Sequence, residues 1–223
     1  MSDKCIVFDL DDTLYKEIEF VKSAYRFISA RIGTSSPQQN VIYKCLIDSY
    51  SSGRNPFEDL NNYLDLHIPI ARYLTWYRNH IPDITLSEGC LKLLDELNSN
   101  GWVIGIISDG RSISQRNKIK ALGLESYISD NDIIISEEFG SEKPSESNYR
   151  YFMMRHPQCE VFLYIGDNVK KDFIAPNKLG WLTVGIKDNG ENIHKYPASP
   201  KEYQPQIWLS NINELIVKLK KIF

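Results

Sequence analysis

Three acidic residues, Asp9, Asp11 and Asp12, stand where the apolar run Cys5 to Phe8 ends. In an extended backbone, side chains two positions apart leave on the same side, so Asp9 and Asp11 present paired carboxylates. At about 4 Å and an effective dielectric near 20 their repulsion is roughly 4 kcal/mol, so a cation or a lysine from elsewhere is expected beside them. An aspartate can attack phosphorus or carbon as a nucleophile. A second carboxyl two positions on can protonate the leaving group and then deprotonate water. The plainer reading of an Asp-rich segment after a strand is a turn or a helix cap. Three downstream clusters argue for more.

Those clusters are Ser108-Asp109-Gly110, Glu142-Lys143-Pro144 and Gly166 to Asp172. Lys143 supplies positive charge for a transferring phosphoryl group, while Ser108 and the amides of Asp109 and Gly110 supply hydrogen bonds. Asp167 lets two carboxylates and a backbone carbonyl hold Mg²⁺, a hard cation that binds oxygen. Together they form an electrostatic clamp for a phosphoryl transition state.

Hydrophobic periodicity says how these groups are positioned. Lys4 to Phe8 reads as a buried strand. From Glu17 to Asp83 the spacing is helical and rich in aromatics, with breaks at 33–37, 51–56 and 67–69. The rhythm then becomes α/β. Strands are expected at 102–107, 133–135, 161–165 and 181–186, with a short edge strand at 207–209. Helices are expected around 90–97, at 112–122, 147–155 and 172–179, and at the end of the chain. There Asn211 reads as N-cap, with Ile212, Leu215, Leu219 and Ile222 on one face. Residues 136–144 read as a polar loop. Alternating strands and helices imply a doubly wound parallel sheet, whose ligands bind at the carboxyl ends of the strands. All four polar clusters follow strands, so they converge on one edge.

The 223 residues are 42% hydrophobic and 25% charged, with a formal net charge of −3. That balance gives no electrostatic footprint for nucleic acid or for an anionic membrane. No run reaches the length of a membrane span, and the N-terminus lacks the apolar segment of a signal peptide. Cys5, Cys45, Cys90 and Cys159 are far apart and lack zinc spacing, so they read as small buried hydrophobes in a reducing, cytoplasmic setting. His67, His80, His156 and His194 read as structural or surface groups. The aromatics of 17–83 read as packing, Arg26, Arg72 and Arg78 as solvated, and Asp12 as solvated or capping.

Taken in order, Asp9-Leu10-Asp11-Asp12-Thr13, Ile106 to Gly110, Lys143-Pro144 and Gly166 to Asp172 resemble the four motifs of the haloacid dehalogenase superfamily of aspartate-dependent phosphotransferases. The resemblance implies a Rossmann-like core at 1–15 and 85–223, with a small helical cap inserted at 16–84. It implies Asp9 as nucleophile, Asp11 as general acid and base, and Thr13 as an orienting hydroxyl. Ser108 and Lys143 become phosphoryl binders, with Asp109 and Gly110 beside the substrate. Asp9, Asp11, Asp167 and Asp172 become the Mg²⁺ site, Asp172 in support. Asn168 and Lys171 stand where relatives often carry Ser and Asn. The expected activity is a Mg²⁺-dependent phosphatase of a small phosphorylated metabolite. The alternatives are a phosphomutase of the β-phosphoglucomutase kind and a non-catalytic binding or regulatory module.

Overall fold

The computed structural model describes residues 3–193 and 200–223. Its strands are β1 (Lys4–Phe8), β2 (Val103–Ser108), β3 (Ile133–Ile135), β4 (Val161–Gly166), β5 (Leu182–Ile186) and β6 (Ile207–Leu209). They form one sheet in the order β3-β2-β1-β4-β5-β6, and every pairing is parallel. Its helices are α1 (Glu17–Ile32), α2 (Ser36–Ser51), α3 (Pro56–Leu64), α4 (Ile70–Asn79), α5 (Glu88–Ser99), α6 (Ser112–Ala121), α7 (Ser136–Phe139), α8 (Glu146–Arg155), α9 (Ile174–Lys178) and α10 (Glu214–Ile222).

The sheet is apolar on both sides because both sides are covered. Ile6 and Phe8 of β1 pack with Leu93, Leu94 and Leu97 of α5 and with Leu215 and Leu219 of α10. Cys5 and Val7, alternating with them, pack with Tyr149 and Phe152 of α8 and with Phe173 and Trp181. Gly105 in β2 is needed at that contact, since a Cβ there would lie 2.3 Å from the Phe152 ring. Residues 17–79 build a third cluster of their own, in which Phe57 and Tyr73 stack at 4.9 Å beside Tyr25, Ile28, Ile42, Leu46 and Leu60. Asn55 caps α3 by accepting from the amides of Phe57 and Glu58.

Five expectations need correction. The 136–144 loop opens with a helical turn, α7, which Gly140 closes at φ 74. α9 begins at Ile174 rather than Asp172, because the Asp172 side chain is spent on backbone amides upstream. α10 begins at Glu214. Asn211 accepts from the amide of Asn213, and Glu214 reaches back to the amide of Ser210, so the reciprocal capping forms one turn earlier than the helix itself. Ile222 is exposed rather than part of the buried face, and Cys45 is only half-buried. Part of the loop after Lys187, with Pro197 and His194, lies outside the described residues. Among the described residues, no helix is long and apolar enough to cross a membrane.

Candidate active site

β1 is central in the sheet, and the chain leaves it at Asp9, whose amide donates to the Ile165 carbonyl of β4 at 2.8 Å. Beyond it the backbone curls so that Asp11 and Tyr15 form an isolated bridge. Asp12 sits in the left-handed region at φ 56, which Asp tolerates better than most residues. Its carboxylate accepts from the amide of Glu17, capping α1, and from the amide of Ile193. Asp12 is thus a buried cap rather than a solvated group.

The two paired carboxylates part company, each to its own lysine. Lys143 Nζ lies 2.7 Å from Asp9 Oδ1 and 2.8 Å from Asp172 Oδ1, and it donates to the Tyr164 hydroxyl at 3.1 Å. Burial alone would lower the pKa of this ammonium, but Asp172, Asp9 and Asp109 outweigh burial and hold it well above the usual lysine value. Lys118 of α6 lies 2.8 Å from both oxygens of Asp11. Gln115, one turn earlier, donates to Asp11 Oδ2, Ser108 Oγ and the Asp109 carbonyl at 2.8 to 2.9 Å. The Tyr15 hydroxyl also donates to Asp11. Burial raises the Asp11 pKa, but Lys118, Gln115 and Tyr15 together bring it below the usual carboxylate value.

Asp172, fully buried, organises the loop after β4. Its Oδ2 accepts from the amides of Asp167 and Asn168 at 3.1 and 2.8 Å, while its Oδ1 faces Lys143 and Tyr164. Gly166 permits this approach, since a Cβ there would lie 2.5 Å from Asp172 Oδ2. Asn192 donates to Asp167 Oδ2 at 2.9 Å.

Asp9, Asp167 and Asp172 are all buried, with one oxygen of each within 4.8 Å of the others. Burial, then Asp172 and Asp9, push Asp167 up to about 9. Burial pushes Asp9 up to about 6 against the pull of Lys143. Hard oxygen donors crowded until they resist ionisation are a donor set that suits a divalent cation. Asp9 and Asp167 have oxygens to offer, whereas both oxygens of Asp172 are already engaged. The Asp11 carboxylate stands outside this group.

A cleft of about 110 Å³ opens over these groups, lined by Asp9, Asp11, Glu17, Ser108, Asp167 and Lys171 among others. Two expected contributors are turned elsewhere. The Gly110 amide donates to Ser136 Oγ at 3.0 Å, closing the loop after β2 onto α7. Thr13 lines a neighbouring cleft, and its buried hydroxyl has no hydrogen-bond partner among the described residues. The Asp109 carboxylate joins two segments, accepting from the Lys143 amide at 3.1 Å and from Lys171 Nζ at 2.9 Å. Among the described histidines, His80 is buried against the Tyr77 carbonyl and Ser23, and His156 meets Asp132. Neither reaches the cleft.

Gln115, Lys118, Glu17 and Asn192 are the groups that motif spacing does not reveal. One signal was available for the first two. α6 has few apolar residues, so its buried face had to include polar ones.

Residues 6–186 match the family model of the haloacid dehalogenase-like hydrolases. The chain is 30% identical over 230 residues to the glyceraldehyde 3-phosphate phosphatase of Methanocaldococcus jannaschii, covering 98% of each chain. It is 24% identical over 197 residues to the enzyme of the same name from Methanopyrus kandleri, covering 82% of this chain and 84% of that one. Among solved structures, the magnesium-bound HAD-hydrolase YfnB of Bacillus subtilis superimposes with a TM-score of 0.67 at 22% identity, covering 97% of this chain and 98% of that one.

Proposed function

The chain belongs to the haloacid dehalogenase-like hydrolase family, and from that premise we propose a Mg²⁺-dependent phosphatase acting on a small phosphorylated metabolite. The observation that carries this reading is the division of labour at the end of β1. Asp9 is held by Lys143, and Asp11, two residues on, is held separately by Lys118 and Gln115 in the same cleft.

In this mechanism Asp9 attacks phosphorus and the ester P–O bond breaks, leaving a phosphoaspartate. Asp11 gives a proton to the departing oxygen, then takes one from the water that attacks the phosphoaspartate, and phosphate leaves as Asp9 is regenerated. Lys143 and Ser108 hold the phosphoryl oxygens, and Lys171 adds a cation at the cleft wall. Asp9 and Asp167 would hold Mg²⁺, with the backbone carbonyl of Asp11 a further ligand and Asp172 behind them. The ion supplies neutralisation of the phosphoryl charge.

Residues 16–84 act as a cap domain over a core of residues 1–15 and 85–223. Buried Cys5, Cys90 and Cys159 support a reducing, cytoplasmic setting. The relatives named glyceraldehyde 3-phosphate phosphatases make a triose phosphate the first ester to try.

With p-nitrophenyl phosphate, release of nitrophenol should require Mg²⁺ and fall at least about a thousandfold in Asp9→Asn. Robust turnover by that variant would overturn the assignment. Free phosphate as the main product from sugar and triose phosphates separates a phosphatase from a phosphomutase.

A further inference from the structure

After β5 the chain leaves the sheet and turns toward the acidic group. Asp188 Oδ1 accepts from the amides of Gly190 and Asn192 at 2.7 and 3.0 Å, and Gly190 takes φ 100, which draws the segment into a compact turn. That turn places Asn192, 5% exposed, between two segments distant in sequence. Its Nδ2 donates to Asp167 Oδ2 at 2.9 Å, and its Oδ1 accepts from Lys16 Nζ at 2.5 Å. The next residue is held as well. The Ile193 amide donates to Asp12 Oδ2 at 3.1 Å, and its side chain packs against the cluster of the helical insertion that contains Val21 and Tyr25.

An ammonium can only donate, so the oxygen of Asn192 belongs to Lys16 and its amide nitrogen is left to face the carboxylate. An aspartate at 192 would set a second negative charge against Asp167, and an apolar residue would offer no donor. With Oδ2 of Asp167 engaged, the carboxylate is no longer free to rotate about its last side-chain bond, and Oδ1 is the oxygen it has to offer a cation. Carboxylates that hold metals are themselves hydrogen-bonded, and the partner behind them sets affinity by fixing their orientation. Mg²⁺ demands near-ideal geometry, so it is sensitive to any freedom in its ligands.

We propose that Asn192 is a positioning residue of the metal site, fixing Asp167 for Mg²⁺ while Lys16 fixes Asn192 from the side of the helical insertion. The proposal rests on the reading of Asp9 and Asp167 as Mg²⁺ ligands and adds a mechanical link to it. Lys16 immediately precedes α1, at the junction of core and insertion, and Ile193 touches the insertion directly. The segment after β5 thus ties the seating of the insertion to the orientation of a metal ligand.

The test measures Mg²⁺ binding by calorimetry in the wild type, Asn192→Ala and Asn192→Leu, the last of which keeps a branched side chain in case the smaller one lets the turn collapse. Both variants should raise the Kd for Mg²⁺ about ten- to a hundredfold, with metal-free melting close to that of the wild type. With p-nitrophenyl phosphate, kcat should fall at low Mg²⁺ and recover at saturating Mg²⁺ with KM nearly unchanged, a rescue that general loosening of the fold would not show. Lys16→Met removes a positive charge, which by itself would tighten Mg²⁺ binding. Weaker binding in that variant, absent when Asn192→Ala is already present, shows that Lys16 acts through Asn192, whereas tighter binding would overturn the link to the insertion. An unchanged Kd in both Asn192 variants, or a loss of kcat that saturating Mg²⁺ does not repair, would overturn the proposal while wild-type binding left the Mg²⁺ site standing. Absence of Mg²⁺ binding by the wild type would overturn both.

Discussion

Lys118 Nζ lies 2.8 Å from each carboxylate oxygen of Asp11, although the two residues come from different segments of the chain. The pair is shielded, with side chains 4% and 19% exposed. Asp11 is therefore held as the carboxylate, and in the proposed mechanism the proton for a leaving group is acquired within the complex.

Removing this lysine should leave a visible scar. In Lys118→Met the Asp11 carboxylate loses its cation, and breaking a buried pair in this way costs roughly 3 kcal/mol. In the wild type the Asp11 pKa is depressed, so its stabilisation is present above its unfolded value and is lost as pH falls through the lower folded value. In the variant, burial without the cation raises the pKa instead. The deficit should therefore grow from pH 5 to pH 8 in urea denaturation. A deficit that does not change with pH would show that the pairing contributes little.

The acidic group at Asp9 and Asp167 makes the opposite prediction for the metal-free protein. Their carboxyls sit at about 6 and about 9, above the unfolded value, so the folded chain holds more protons than the unfolded chain across that range. Stability must then decline as pH rises. Melting after chelation should move to lower temperature between pH 5 and pH 9, and the increment restored by Mg²⁺ should be larger at pH 9 than at pH 6. Asp167→Asn should melt higher than the wild type at pH 8 without metal, and should lose most of the Mg²⁺ response.

Gln115 joins two loops through one nitrogen. In Gln115→Leu, Asp11 and Ser108 lose their shared donor, and we expect kcat to fall about ten- to a hundredfold through misplacement of both groups. A fall in kcat with KM nearly unchanged is the expected pattern. A rise in KM alone would make Gln115 a substrate contact instead.

The legible and illegible parts of this site differ for a physical reason. Asp9 and Asp167 directly follow β1 and β4, and Lys143 and Asp172 lie further along the segments after β3 and β4, so all stand on the edge where a parallel sheet gathers its polar loops and the order of strands was enough to group them. Gln115 and Lys118 reach the site from a helix face. Which face of α6 turns inward depends on packing against the insertion, where Asn117 donates to the His80 carbonyl and Lys118 covers Phe20. No local pattern encodes that rotation. The α7 turn was hidden because four polar and aromatic residues do not make a helical period. The late start of α9 was hidden because it follows from a tertiary use of the Asp172 side chain.

Gly166→Ala should be among the most damaging small substitutions. The new methyl would meet Asp172 Oδ2 at 2.5 Å, and that carboxylate cannot retreat because Lys143 and two amides hold it. Overpacking of this kind costs roughly 1–3 kcal/mol. Thermal melting and phosphatase activity should fall together, whereas Gly166→Ala with native melting and full activity would mean that the loop after β4 is more yielding than its hydrogen bonds suggest.

The place of β1 in the sheet also fixes when the site can come into being during synthesis. Lys4 to Phe8 pairs on one side with β2 and on the other with β4, so Lys4 lies opposite Val161. β1 is thus enclosed on its second side only after helices α1 to α4 of the insertion and β2 have already appeared. The helical insertion, whose contacts run largely between neighbouring helices, can assemble while that strand still waits. Until β4 emerges Asp9 has no loop opposite it, and a nascent chain stalled before Val161 would carry a formed insertion beside a strand paired with β2 alone, its second edge still open.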